Sequence, residues 1–181
     1  MKKFLFAFAI FLLLADLSVQ GQQTGARQVD TISQLKQLYR VGHFYISDQP
    51  DMEKLRWLRA QGVEKIINLR TMIENDEQAT KAFPEKDSAE MLGFEYVAIP
   101  VNGKTGFNPT NQGRFNAVLD PGQPTLIHCA SGGRATNMLM AWLITEQGYT
   151  LEEALAIGRS MMFRIPLEGL LDTEFEMQLP E

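Results

Sequence analysis

Leu126-Ile127-His128-Cys129-Ala130-Ser131-Gly132-Gly133-Arg134 is an apolar run that ends in the chain's only cysteine, a glycine pair and an arginine. A strand that leaves its carboxyl end through such a loop and opens a helix turns successive backbone N–H groups inward. The helix dipole adds partial positive charge at the same place. A thiol there is favoured as thiolate, because a helix amino terminus and a neighbouring cation both stabilise the anion. Gly132 and Gly133 permit positive φ and close backbone approach to a bound oxyanion, and Arg134 can grip two of its oxygens with its planar fork. The expected site is an anion cradle: Cys129 as nucleophile, Arg134 as the binding cation, and the amides of Ala130, Ser131, Gly132, Gly133 and Arg134 around the ligand. Ser131 either bonds within the loop or fills a tight turn. The bland alternative for Cys129 is a small buried hydrophobe at a strand end.

Outward from the loop, apolar strand-like runs alternate with helical patterns. Strands are expected at His43–Ser47, Val63–Leu69, Tyr96–Val101 and Pro124–His128, and helices at Met52–Gln61, Asn111–Leu119 and Arg134–Glu146. Pro50 is read as a first helical position, with Gly62 closing that helix. Asn75–Leu92 contains Pro84 and predicts two short helices with a break, the second ended by Gly93. Ile32–Leu38 reads as a short helix. Thr150-Leu151-Glu152-Glu153 is a capping box that opens another. Leu167–Leu179 predicts a last helix, and Met161-Met162-Phe163 reads as core. The spacing gives an α/β fold, a three-layer sandwich with a mainly parallel central sheet.

Lys2 and Lys3 followed by the apolar run Phe4–Ala15 read as a secretory signal peptide over residues 1–21, too short to span a bilayer. An uncleaved amino-terminal anchor is the competing reading. Residues 22–32 are polar and read as a linker, and 33–181 as one domain. Removing residues 1–21, which carry Lys2, Lys3 and Asp16, leaves 15 basic and 21 acidic side chains, a formal charge of −6. Such an acidic chain argues against nucleic acid and against stable membrane association after signal cleavage. One cysteine permits no internal disulfide, and with only His43 and His128 available neither a metal site nor any other cofactor is expected. The predicted location is periplasmic or secreted.

His128, Cys129, Gly132 and Arg134 resemble the signature of the cysteine-dependent phosphatase superfamily. Four residues rather than the usual five separate cysteine from arginine. That shorter loop is similar to a bacterial dual-specificity and tyrosine phosphatase-like branch, found fused to NAD kinase or to metallo-hydrolase domains, and also to the rhodanese sulfurtransferases. Tyr45-Ile46-Ser47-Asp48-Gln49-Pro50 and Ile66-Ile67-Asn68-Leu69-Arg70 resemble further landmarks of the phosphatase branch. The resemblance implies a phosphatase-like fold and hydrolysis of a phosphorylated protein or small molecule through a phosphocysteine. It gives His128 the role of orienting the loop and keeping the thiol ionised.

Two departures accompany the resemblance. Ala135 stands where the family carries Ser or Thr, with Thr136 a helix step away. The loop Asn102-Gly103-Lys104-Thr105-Gly106, where the family keeps an aspartate as general acid, has no carboxylate. Glu74, Asp76 or Glu77 could reach in from another loop, or simply be solvated. Arg70 reads as a second anion contact or a salt-bridge partner. Besides the phosphatase, two readings stay open: a sulfurtransferase with a Cys129 persulfide, and a phosphate-binding module with little chemistry.

Overall fold

The structure is a computed structural model that describes residues 27–103 and 105–161. The expected signal peptide, the helix at Leu167–Leu179, and Met162 and Phe163 lie outside the described residues.

Six strands form one sheet: β1 (Val29–Thr31), β2 (Leu38–Val41), β3 (Phe44–Ser47), β4 (Lys65–Asn68), β5 (Glu95–Ala98) and β6 (Thr125–His128), in the order β1-β2-β3-β6-β4-β5. The strands from β3 to β5 pair in parallel, and β1 and β2 add an antiparallel edge. β6 therefore sits between β3 and β4, with Ser47 and Asn68 in register on either side of His128. Strand β1 lies in the stretch read as linker, where Arg40 on β2 pairs with Asp30 at 2.8 Å.

Side chains alternate across the sheet. On β6, Leu126 enters the apolar cluster beneath helices α1 (Met52–Ala60) and α3 (Glu85–Met91), while Ile127 and Cys129 enter the opposite one. That second cluster packs on α4 (Pro109–Val118), α5 (Gly133–Gln147) and α6 (Leu151–Arg159). Helix, sheet and helix thus make the three layers that the spacing predicts. The break at Pro84 is also present, between α2 (Met72–Lys81) and α3. Thr150 and Glu153 form the capping box of α6.

Two local readings are corrected. Ile32–Leu38 forms no helix. Gln37 adopts φ 49, and the chain closes a turn in which Ile32 N–H donates to Leu38 O at 2.9 Å. The helix-like spacing of Ile32 and Leu35 arises because both lean on the α1 side of the core. Seven residues cannot hold a helix without such tertiary support, and here that support favours a hairpin. Pro50 is not the first residue of α1. Asp51 is the cap, its carboxylate accepting from Lys54 N–H at 2.7 Å, and Pro50 precedes it.

Helix α5 carries the loop's consequences into the core, since Ala135 to Leu143 are all buried. Trp142 meets Phe44 edge to face at 5.2 Å. Trp142→Ala is expected to cost about 3–5 kcal/mol by emptying that contact. Urea unfolding would read this as a lower midpoint, and an unchanged midpoint would show the site collapsing around the gap. Behind α5, α6 comes close through Gly158, where a Cβ would fall 2.1 Å from Met140 Sδ.

Candidate active site

The loop 129–133 leaves the carboxyl end of the central strand β6 and starts α5. Gly132 sits at φ 83, a left-handed conformation that glycine adopts without penalty. This turns its N–H back on Cys129 Sγ, to which it donates at 3.1 Å. Of the two glycines that permit positive φ, Gly132 adopts it, and Gly133 is the first residue of α5. The flank of the loop is tied to the exit of β3 by an Asp48–Ser131 bridge and by Gln49 N–H donating to Ala130 O at 3.4 Å. Ala130 and Ser131 are exposed, whereas Cys129 is 1% exposed at the base.

Arg134 lies in the first turn of α5 and reaches across the loop's mouth. Its NH1 donates to Val101 O at 2.9 Å and Leu69 O at 3.3 Å, so the ends of two strand exits fix the guanidinium. Its fork then grips the Glu74 carboxylate at 2.8 and 2.6 Å. Burial works against the Arg134 charge, but Glu74 and the nearby Cys129 outweigh it and hold the guanidinium more firmly protonated than usual. Glu74 is thereby separated from Asp76 and Glu77, which are exposed. The solvated reading holds for those two and fails for Glu74. Glu74 sits in the first turn of α2, in a capping box with Thr71, which aims its carboxylate at the cradle.

The Arg134 hydrogen bond is the main reason the Glu74 carboxyl falls from 4.5 to about 2; burial opposes it and the Thr71 contacts assist. A depressed folded value means stability that is present above about 4.5 and is lost as pH falls through about 2. Glu74→Gln should therefore be less stable than the parent at neutral pH and converge with it near the acid end of that window. Denaturant titrations at a series of pH values would show this; a gap that does not change with pH would mean that the pair contributes nothing.

Beneath the sheet, on the face opposite Cys129, lies a buried polar cluster. His128 is fully buried, with Nε2 2.7 Å from Glu85 Oε1. Glu85 also accepts from Gln49 Nε2 at 2.6 Å and from the Tyr96 hydroxyl at 3.4 Å. Among the described residues Arg70 forms no salt bridge, and it is not part of the cavity lining. It donates to Gln49 Oε1 and, at 2.8 Å, to Glu74 O, so it braces the cluster and the first turn of α2 together. Gln49 and Arg70, one from each quoted landmark, thus meet under the loop.

A cavity beside the Arg134–Glu74 pair has a volume of about 390 Å³ and is lined by Thr71, Glu74, Asn102, Gly103, Ser131, Gly133 and Arg134. That suits a small polar ligand or the end of a larger one. Thr136 does not replace the missing hydroxyl at Ala135, because its Oγ1 donates to Gly132 O at 3.1 Å. Among the described residues, no group of three His, Cys, Asp or Glu side chains could hold a metal ion.

Residues 23–167 match the family model of DSP-PTPase phosphatases fused to NAD+ kinase, which spans most of the chain. The chain belongs to that family. As a member of the DSP-PTPase family it is a dual-specificity and tyrosine phosphatase-like hydrolase. Solved structures share its fold. A DUF442 phosphatase from Shewanella putrefaciens CN-32 is 23% identical, with 82% of this chain and 91% of that chain covered and a TM-score of 0.53. Tk-PTP is 21% identical over 79% of this chain and 85% of that one, at a TM-score of 0.56. TpbA of P. aeruginosa, solved with phosphotyrosine, is 15% identical over 82% and 96%, at 0.54. No curated protein matches the chain significantly. Within the DSP-PTPase frame, sequence reasoning missed Glu85 and discounted Glu74. The only local signals were Thr71-x-x-Glu74 as a capping box and an acid placed directly after Pro84.

Proposed function

We propose that the chain is an exported phosphatase that hydrolyses a phosphoester through a phosphocysteine on Cys129. The observation carrying this reading is the loop that sets Cys129 at the amino end of α5, with the Gly132 amide donating to its sulfur and Arg134 in the first turn of the helix. The helix amino terminus, the loop amides and the guanidinium are the donors that hold a phosphoryl group beside a nucleophile.

In the first step the Cys129 thiolate attacks phosphorus. The S–P bond forms as the ester P–O bond breaks, and the leaving oxygen takes a proton from solvent. Arg134 and the amides of residues 130–134 hold the equatorial oxygens. In the second step water attacks phosphorus, phosphate departs and the thiolate returns. Bound phosphate oxygens compete with Glu74 for the Arg134 fork. In the unliganded pair the Arg134 hydrogen bond holds the Glu74 carboxyl well below its usual range, to about 2. With no carboxylate in the 102–106 loop, aryl esters, whose phenoxide departs without help, are the favoured substrates. Phosphotyrosine bound to the similarly folded TpbA supports that class.

The deciding assay compares an aryl phosphate, an alkyl phosphate, and thiosulfate with cyanide, all with the reduced protein. Release from the aryl ester, at least about a hundredfold faster than from the alkyl ester, is expected. Thiocyanate formation alone would make the protein a sulfurtransferase, and silence in all three would leave a phosphate-binding module. Export rests on the charged start and apolar run within residues 1–21. Amino-terminal sequencing of protein recovered outside the cytoplasm should begin near residue 22; an intact Met1 in the cytoplasmic fraction would remove this part of the proposal.

A further inference from the structure

Helix α2 is built inside out. None of its residues is buried. The stripe it turns toward the domain is polar: Glu74 meets Arg134, Asn75 accepts from Asn68 Nδ2 at 3.0 Å, and Gln78 continues the same face. Its large apolar side chains, Met72 and Ile73, face water instead, 71% and 72% exposed. A surface helix ordinarily does the reverse, with its apolar stripe on the core. Local preference does not account for the pair either. The first turn of a helix favours acids, which complement the dipole, and a β-branched residue such as isoleucine loses side-chain freedom there.

The place of the pair gives it a use. Helix α2 starts just past the carboxyl end of β4, the same end of the sheet at which the Cys129 loop leaves β6. Thr71 and Glu74, which bracket Met72 and Ile73 in the chain, both line the cavity beside Arg134. One helical turn is thus a wall of that cavity, polar on the inside and apolar on the outer rim. A cavity of about 390 Å³ takes a phosphoryl group and the end of its carrier, so a larger substrate must continue over the rim. Met91 is the other large hydrophobic exposed among the described residues, at 81%. It ends α3 ahead of β5, at the opposite end of the sheet from the loop. Further along α2, Asp76 and Glu77 are exposed and make the outer surface acidic, which disfavours an anionic lipid surface and suits a polypeptide.

We propose that Met72 and Ile73 are the substrate-docking rim of this site, and that they receive apolar side chains flanking a phosphotyrosine in a polypeptide. The phosphoryl group goes to the loop and Arg134; the neighbouring residues of the substrate cover the two exposed side chains. The choice of a phosphorylated substrate rests on the phosphatase reading, whereas the contact itself is a matter of binding and is measured without turnover.

The experiment is calorimetry on the full chain carrying Cys129→Ser, with two phosphotyrosyl peptides that differ only in having leucines or serines on both sides of the phosphotyrosine. The leucine peptide should bind about tenfold more tightly, the gain expected from partly burying two apolar side chains. Adding Met72→Gln and Ile73→Gln should abolish that preference and leave the affinity for inorganic phosphate unchanged. Met91→Gln, at the far end of the sheet, should leave the preference intact. Because the contact is apolar, the preference should also survive high salt; a preference that salt removes would belong to Asp76 and Glu77 and overturn the proposal. Equal binding of the two peptides would overturn it as well, as would a preference that persists in the double variant. Equal binding together with vesicle binding that the double variant loses would assign the pair to a lipid surface, and equal binding with a dimer that the double variant dissociates would assign it to a second copy of the chain. Failure of the parent to hydrolyse either peptide would count against the proposed function, and the binding preference would still be read.

Discussion

Cys129→Ser is expected to bring phosphate release to the uncatalysed background, a loss on the order of ten-thousandfold or more in kcat. Phosphate monoesters are among the slowest compounds to hydrolyse unaided, and a neutral serine hydroxyl in this cradle has no base to activate it. His128 sits on the far face of the sheet, in contact with Glu85. The same variant should keep its oxyanion affinity, because Arg134 and the loop amides do not depend on the sulfur for their placement: Arg134 is held by Val101 O and Leu69 O. Calorimetry with vanadate or inorganic phosphate checks the second half. Retained affinity with lost turnover separates nucleophile from cradle. Turnover within about tenfold of the parent would remove Cys129 from the reaction.

Arg134→Ala should be the most damaging change to binding. It deletes a fork that would make charge-assisted bonds to the phosphoryl oxygens, and it leaves the Glu74 carboxylate in the cradle with its main partner gone. Loss of an oxyanion donor typically costs a hundredfold to a thousandfold. Here the unpaired carboxylate also repels the dianion, so a fall in kcat/KM of at least about a thousandfold is expected. The double variant Arg134→Ala with Glu74→Gln tests that second contribution. It should recover some stability and part of the affinity, since it removes the stranded charge, but little of the catalysis. If the two single changes simply add, Glu74 and Arg134 do not act as a unit.

The alternation of strands and helices, the glycine-closed ends of α1 and α3 and the anion loop were legible because each is encoded within about ten consecutive residues. Leu126, Ile127 and the two glycines announce their own geometry. The supports were not. Glu74 is 60 positions from Arg134, and as a sequence symbol it is indistinguishable from Glu77 beside it, which pairs with Lys81 on the surface. Glu85 sits 43 residues before His128, and nothing local says that α3 will turn it inward instead of Asp87. Chain crossings of that length are settled by the order of strands in the sheet, which puts β6 between β3 and β4. Ile32–Leu38 misled for the opposite reason: its apolar spacing was real, but tertiary contacts used it in a turn.

The bond from the Gly132 amide to the Cys129 sulfur also makes one backbone proton a witness to the state of the nucleophile. Its resonance position and its rate of exchange with deuterium must change when the sulfur is thiol, thiolate, alkylated or phosphorylated, because the acceptor changes while the left-handed turn that aims the donor does not. A single labelled glycine could then report occupancy of the reactive sulfur in a mixture of unknown compounds, before any substrate has been found.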